Sequence, residues 1–555
     1  MRAQNVLMVA CCFLLASFWS RASVRASLVV GAVRVSWIRS LVQCCSSCFS
    51  CRFMHNRKQR AARANKLTPT NRKIMGQIGN SDVSRRTAKL SDVDQMASLV
   101  ESKDKKSVLF NADVQMLYGE VFIQNSCLDH LSQAMALHPH YLDVFLRTQN
   151  FLLRGDGPLP YSYRHYIAIL AAARHRCSYL VNLQKQEFLL IGGDPNWLKG
   201  LQHIPKKLRD IYEINKILSH RPWLITKEHI EKLTKGVDNW TLSEVAHAVV
   251  ILAHFHTMSS LVYGCGIRNE IDQENGHTFA NNGQEQQRKT GAASNTKTKS
   301  ATSPSESDTE VGVETLMQRM KELQERPPEE PSPEEKAKRF EKVENQALGL
   351  AAGSPPTLSA DISKFIEDPT FSYQDFARRG EMSDISTFRI QDYSWDDHGY
   401  SLINSIYSDV GTYLDEMFKV TYGLTYFTMG VKKGIDTSMF RRAVWNYIQC
   451  IFGIRHDDYD YSEVNHMIER NLKAYVKTVC VYPERITRKD YDSVMRDFQH
   501  SEKMDELGIS PPLYVSPNAP NGHLQPPVHV NLMVVEARKQ AELLYALRAI
   551  MQYMT

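Results

Sequence analysis

The first 81 residues contain no aspartate and no glutamate; Asp82 is the first acid in a chain of 555 residues. The same stretch holds 13 of the 67 lysines and arginines, so the net charge of +6 belongs to this leader and the rest is net acidic. A net acidic remainder excludes a general nucleic-acid binder, which needs a basic face to neutralise phosphates. Glycine (27) and proline (22) are too scarce for a fibrous repeat. Cysteine is scarce outside the leader: Cys127, Cys177, Cys265, Cys450 and Cys480 are scattered over a long chain. That excludes a disulfide framework and points to free thiols in a reducing compartment. What is present is ordinary: 43% hydrophobic and 23% charged residues. This composition fits a soluble chain with a sizeable core and excludes a multi-span membrane protein.

The leader, residues 1–85, admits several readings. Arg2 precedes an apolar run, Val6–Trp19, which suits a signal-peptide core and is too short to span a bilayer. Arg- and Ser-rich, acid-free sequence also suits a mitochondrial transit peptide. Cys45, Cys48 and Cys51 are spaced closely enough to suggest zinc or lipid. His55 is the only nearby histidine and no second ligand pair follows, which makes a poor tetrahedral site. A disordered basic extension is the reading placed first.

From about residue 108 the apolar positions recur at three- and four-residue spacing, the period of helices. Tyr163–Leu183 reads as one long helix, with Ala168, Ala171, Ala172 and Ala173 allowing close packing. Thr241-Leu-Ser-Glu244 is a capping box opening a strongly apolar helix to about Val262. Strand signals are few. Residues 86–268 read as an all-α domain. Residues 269–384 read as a mostly disordered linker, poor in aromatics over 269–360. Ser332 and Pro333 mark a short helix near 333–349 inside it. Residues 385–555 return to dense helical patterning, with an exposed proline-rich loop at 504–527.

One cysteine stands out. Ala171-Ala-Ala-Arg-His-Arg-Cys-Ser-Tyr179 places Cys177 inside the expected helix, with Arg174 one turn earlier on the same face. A guanidinium there favours the thiolate. The plainer alternative is a small buried hydrophobe among alanines, the commoner fate of free cysteine.

Longer strings carry a resemblance. Arg164-His-Tyr-Ile-Ala-Ile-Leu-Ala-Ala-Ala-Arg-His-Arg-Cys-Ser-Tyr-Leu-Val resembles the sestrin family, as do His220-Arg-Pro-Trp-Leu-Ile-Thr-Lys-Glu-His-Ile and Tyr-Gly-Cys-Gly-Ile (263–267). So do Asp436-Thr-Ser-Met-Phe-Arg-Arg-Ala-Val-Trp-Asn-Tyr-Ile, Gly453-Ile-Arg-His-Asp-Asp-Tyr-Asp-Tyr461 and Ala541-Glu-Leu-Leu-Tyr-Ala-Leu-Arg-Ala-Ile550. The match covers about 108–268 and 385–555. It implies two helical halves resembling the alkylhydroperoxidase AhpD (carboxymuconolactone decarboxylase-like) fold, packed together. The N-terminal half of the family is credited with reducing alkyl hydroperoxides. There Cys177 would be the reactive thiol and Tyr179 its tyrosine, while the relay histidine is replaced by Gln184. Glutamine cannot shuttle a proton at neutral pH. The resolving cysteine of bacterial relatives would fall near Leu180 and is absent. Weak peroxidase turnover, or none, is the expectation.

For the C-terminal half the resemblance implies a leucine site. Glu502 would hold the ammonium and Arg441 the carboxylate. Thr425, Tyr426, Thr428 and Thr437 would form a lid, and Phe440, Met495 and Phe498 the apolar pocket. Met495 stands where vertebrate sestrins use Trp, and Phe440 where they use Leu. The pocket stays apolar but changes shape, and a one-methylene mismatch is worth about 1–3 kcal/mol. By charge alone Arg441 and Glu502 are solvated surface residues. Asp457 and Asp458 match the acidic pair by which sestrins contact the second GATOR subcomplex, and Thr241 falls at a contact-site serine. Alternatively, Asp458 and Asp460 cap helices or bind a cation. The segment lacks the glycine and terminal glutamate of a calcium loop. His247, His254 and His256 lack metal-pair spacing and read as packing or surface residues.

The resemblance therefore implies a stress-responsive leucine sensor, without cofactor, metal or membrane span. It would bind and inhibit GATOR, restraining TOR complex one, in the cytoplasm and alternatively the nucleus. The competing readings are an alkyl hydroperoxide reductase using Cys177 and a scaffold that senses nothing.

Overall fold

The computed structural model describes residues 114–555, apart from 115, 122–128, 236–237, 268–306, 326–330, 352–355, 383–384, 386, 426, 430–431, 488 and 491–527. The leader, the 504–527 loop, Tyr426, Met495, Phe498 and Glu502 lie outside the described residues. So does Cys127.

The architecture is all-α, as the sequence pattern indicates. The longer helices are α1 (Pro139–Arg154), α2 (Tyr161–Arg174), α3 (Ser178–Leu190), α4 (Tyr212–His220), α5 (Lys227–Thr234), α6 (Leu242–Gly264), α7 (Ser307–Glu325) and α8 (Pro333–Gln346). They continue with α9 (Val410–Gly423), α10 (Ser438–Ile451), α11 (Arg470–Val481) and α12 (Val528–Met554). Among the described residues only four two-residue strands occur. β1 (Phe388–Arg389) pairs in parallel with β4 (Ile454–Arg455), and β2 (Thr428–Met429) pairs antiparallel with β3 (Lys432–Lys433).

Helix α6 is the central post. Thr241 accepts from Glu244 N while the Glu244 carboxylate returns to Thr241 N at 2.8 Å, which satisfies orphan donors at its start. It is apolar on every side and buried almost throughout, as expected of a core helix. By length and mean hydropathy of 1.5 it could cross a membrane, but its apolar window is wholly buried in the fold. Its most extensive partner is α12, and α2 packs on another side. Because α12 comes from the far end of the chain, residues 104–555 share one compact unit. Helix α12 buries Glu536, Arg538, Lys539 and Glu542 completely. Each is paired: Arg538 with Glu542 and Lys539 with Glu536, both at 2.8 Å. Buried charge is tolerated only with such pairing.

The expected single helix over Tyr163–Leu183 is instead two. The N–H of Arg176 donates to Ala173 O (2.8 Å) and that of Cys177 to Ala172 O (3.0 Å), which is the Schellman closure of a helix. Arg176 sits in the left-handed region at φ 56°. Helix α6 closes the same way through Ile267 and Gly266, with glycine at the left-handed residue (φ 62°). With arginine in that place, the first break carries no sequence signal.

Part of the segment expected as linker is packed on the core. Ser332 accepts from Glu335 N to cap α8, and Phe340 and Val343 of α8 are buried. Farther on, Ile362, Phe365 and Tyr373 are also buried. Tyr212 Oη accepts from Glu367 N (2.7 Å), and Tyr373 Oη donates to Ile451 O (2.9 Å). These spaced apolar anchors, too few to lift the average composition, hold the strap against both halves. Gly453 (φ 74°) closes α10 where an added Cβ would lie 2.4 Å from the Phe376 ring.

Candidate functional site

Cys177 is the N-cap residue of α3 and only 1% exposed. Burial pushes its thiol up to about 12, although hydrogen bonds from Leu180 N–H, Ser259 and Tyr179 N–H pull the other way. The expectation that Cys177 lies within a helix, with Arg174 favouring the thiolate, is not met. The chain turns between them, and Arg174 donates to Tyr212 Oη (3.2 Å), Asp368 O (3.1 Å) and Phe371 O (2.9 Å). Tyr179 is buried in the first turn of α3.

Gln184, also on α3, is buried and its Oε1 lies 2.8 Å from Nδ1 of His165. The α2–α3 hairpin places position 165 opposite position 184. With the amide oxygen accepting, His165 carries its proton on Nδ1; its buried Nε2 has no hydrogen-bond partner. Burial lowers His165 to about 4, so the ring is neutral at pH 7. The quoted string contains His165, but only the folded hairpin reveals its contact with the relay position.

The expected amino-acid site gathers around α10. Thr437 is the N-cap residue of α10, and its Oγ1 lies 3.1 Å from Thr425 Oγ1. Phe427 N donates to Thr425 Oγ1 (3.0 Å), and Ile435 N to Phe427 O (3.0 Å), which fastens the base of the β2–β3 hairpin beside Thr425. Thr428 lies in β2, its backbone in register with Lys433. Phe440 is buried at the first turn of α10. Arg441 follows it, half-buried, and donates through Nη1 to Tyr422 O. Its Nε is buried without a hydrogen-bond partner. Among the described residues no carboxylate forms an ion pair with Arg441. Burial lowers its pKa. His529 of α12 sits close enough to feel this charge and is lowered to about 4, by burial first and Arg441 second. His138 meets the His529 ring edge-on at 5.5 Å and is itself lowered to about 3 by burial. Neither histidine is marked by any motif in the sequence.

The acidic loop is divided. Parallel pairing of β1 with β4 sets Arg389 opposite Arg455. Asp457 lies between them, 2.9 Å from Arg389 Nη2 and 2.8 Å from Arg455 Nε. Asp458 is exposed. Asp460 accepts from Ser462 N (2.9 Å) and pairs with Arg339 of α8 (2.8 Å). The helix that follows (Ser462–Met467) has Tyr461 as its N-cap residue, with no side-chain cap, so Asp460 fastens the turn before it. Thr241 is exposed, at the start of α6. His247, His254 and His256 are all buried packing residues. His247 Nε2 lies 2.9 Å from Leu152 O, His254 stacks on Phe145, and His256 bridges Glu542 and Asn215 at 2.8 Å each. Among the described residues no group of three or more His, Cys, Asp or Glu is placed to hold a metal.

Comparison with known proteins places the chain among relatives. The family model described as "PA26 p53-induced protein (sestrin)" matches residues 92–505 and 523–554. The chain is 47% identical over 487 residues to a sestrin homolog of Drosophila melanogaster, covering 77% of this chain and 93% of that protein. It is 46% identical over 464 residues to Sestrin-1 of Xenopus laevis (80% and 89%). Against Sestrin-2 of Mus musculus it is 48% identical over 447 residues (80% and 87%).

Proposed function

The chain belongs to the sestrin family, and from that premise we propose that it is a non-catalytic sensor of a free apolar amino acid, leucine first. Without ligand it binds and restrains the GATOR complex and so lowers TOR complex one signalling; with ligand the lid closes and the partner is released. The carrying observation is Arg441, a half-buried guanidinium with a buried Nε lacking a hydrogen-bond partner and no carboxylate paired to it among the described residues. An arginine so placed suits the carboxylate of an amino acid, which it can grip bidentately. The contact of Thr425 with Thr437 supports a lid held by hydroxyls beside it. The ligand must favour the partner-incompetent state through its own differential affinity. The reading needs no cofactor or metal, and assigns the protein to the cytoplasm, with the nucleus as an alternative site.

The second reading is a thiol peroxidase. Cys177 at a helix N-cap is the feature in its favour, because helix N-termini favour thiolates. Burial, the diversion of Arg174 and the glutamine at position 184 weigh against turnover. A scaffold that binds the same partner without sensing is the third reading. Partner capture with and without leucine separates the first from the third. Release on addition of leucine is expected; capture unchanged by any amino acid would favour the scaffold.

A further inference from the structure

A cleft of about 1140 Å³ opens between the acidic loop, α9, α10 and helix α8. It is separate from the thiol turn. Trp395, Phe418, Tyr422, Trp445 and Tyr459 give an otherwise polar lining its aromatic faces, with Trp445 and Tyr422 meeting edge-to-face at 5.5 Å. Two atoms able to accept a hydrogen bond, Oη of Tyr459 and Nε2 of His456, are buried on lining residues without a partner. Tyr459 is only 6% exposed. Such groups are costly unless something supplies their bonds.

The charges of the cleft are mostly matched internally. Arg442 pairs with Glu463 at 2.9 Å, Arg339 with Asp460 at 2.8 Å, and Lys419 with Asp415 at 2.8 Å. Asp396 and Asp458 remain, both exposed and without an ion pair among the described residues, against the single cation Lys336. A surplus of carboxylate, neighbouring aromatic faces and acceptors at Tyr459 and neutral His456 match a guanidinium, which brings five donors and stacks on rings.

We propose that this cleft receives an arginine-bearing segment of the partner protein, with Asp458 taking its charge and the aromatic wall its plane. This deepens the partner-binding reading above and rests on it for the identity of the partner. The cleft has room for more than one side chain of that segment. The linker then has a role: α8 closes one wall, and Arg339 holds the acidic loop through Asp460.

The test titrates the full chain with the peptide acetyl-Gly-Arg-Gly-Arg-Gly-amide and with its citrulline counterpart, which keeps shape but removes charge. Saturable binding of the arginine peptide, at least tenfold tighter than citrulline, is expected. Asp458→Asn weakens it fivefold or more, and Tyr459→Phe about threefold, each with an unchanged melting temperature. Equal affinity for both peptides, or affinity indifferent to Asp458→Asn, overturns the proposal. Leucine binding by the same chain is read in a separate titration. Peptide binding without leucine binding would therefore defeat the sensor reading alone, and leucine binding without peptide binding would defeat this inference alone.

Discussion

Nη2 of Arg538 lies 2.8 Å from Nε2 of His175. A residue of the last helix thereby supports the turn that leads into Cys177. The same guanidinium reaches Ser260 Oγ (2.9 Å), Ser219 O (3.0 Å), Cys480 O (2.6 Å) and Glu542. Glu542 in turn holds His256, which holds Asn215. One buried network thus joins α4, α6, α11 and α12 with the turn after α2. Removing one partner leaves the other charge buried and alone. Glu542→Ala should therefore destabilise the fold by about 3 kcal/mol or more. Chemical denaturation of the variant against the parent checks this.

Acid should destabilise the protein well before its carboxylates protonate. His138 and His247 are lowered to about 3, and His165, His456 and His529 to about 4, all chiefly by burial. Unfolded histidine titrates near 6.5. The unfolded chain therefore binds more protons below that pH, and stability falls as pH drops. The contribution is fully present above about pH 6.5 and is lost progressively towards pH 3–4. Melting temperature should be flat between pH 7 and 8 and should fall steadily from pH 6.5 to 5.

Arg176 holds a conformation that glycine adopts more readily. The left-handed region costs a non-glycine residue about 1 kcal/mol. Arg176→Gly should raise stability by a similar amount, offset in part by the lost contact of its side chain with Pro356 O. Thermal denaturation measures the change. A lower melting temperature would mean that the side chain matters more than the backbone.

Cys177 should be slow to react. A thiol pushed up to about 12 is ionised only on the order of 1 in 100,000 at pH 7. Maleimide labelling in the native state should be far slower at Cys177 than in urea. The rate of peroxide loss should be unchanged by Cys177→Ser. A rate that collapses in that variant would restore the peroxidase reading.

The helical class, the capping box at Thr241 and the last helix were legible because their signals are local and strong. The break at Arg176 was not, since the Schellman turn usually announces itself with glycine. The strap at 362–376 was hidden because a few spaced anchors do not change composition. At the candidate site, Arg441, Thr425 and Thr437 were reached through resemblance and come together in the fold. His165, His138 and His529 acquire their neighbours only through long-range packing. Asp457 and Asp458 read as equivalent in sequence, yet β1–β4 pairing sets one between two arginines and leaves the other exposed.

The central claim is tested most directly by isothermal titration of the full chain with leucine, methionine and isoleucine, beside Arg441→Ala. The account predicts saturable leucine binding that weakens by about 2 kcal/mol or more, roughly thirtyfold, in Arg441→Ala. The ranking of the three ligands then reports the pocket shaped by Phe440. No heat from any of them with folded protein, or equal leucine binding by Arg441→Ala, would contradict it.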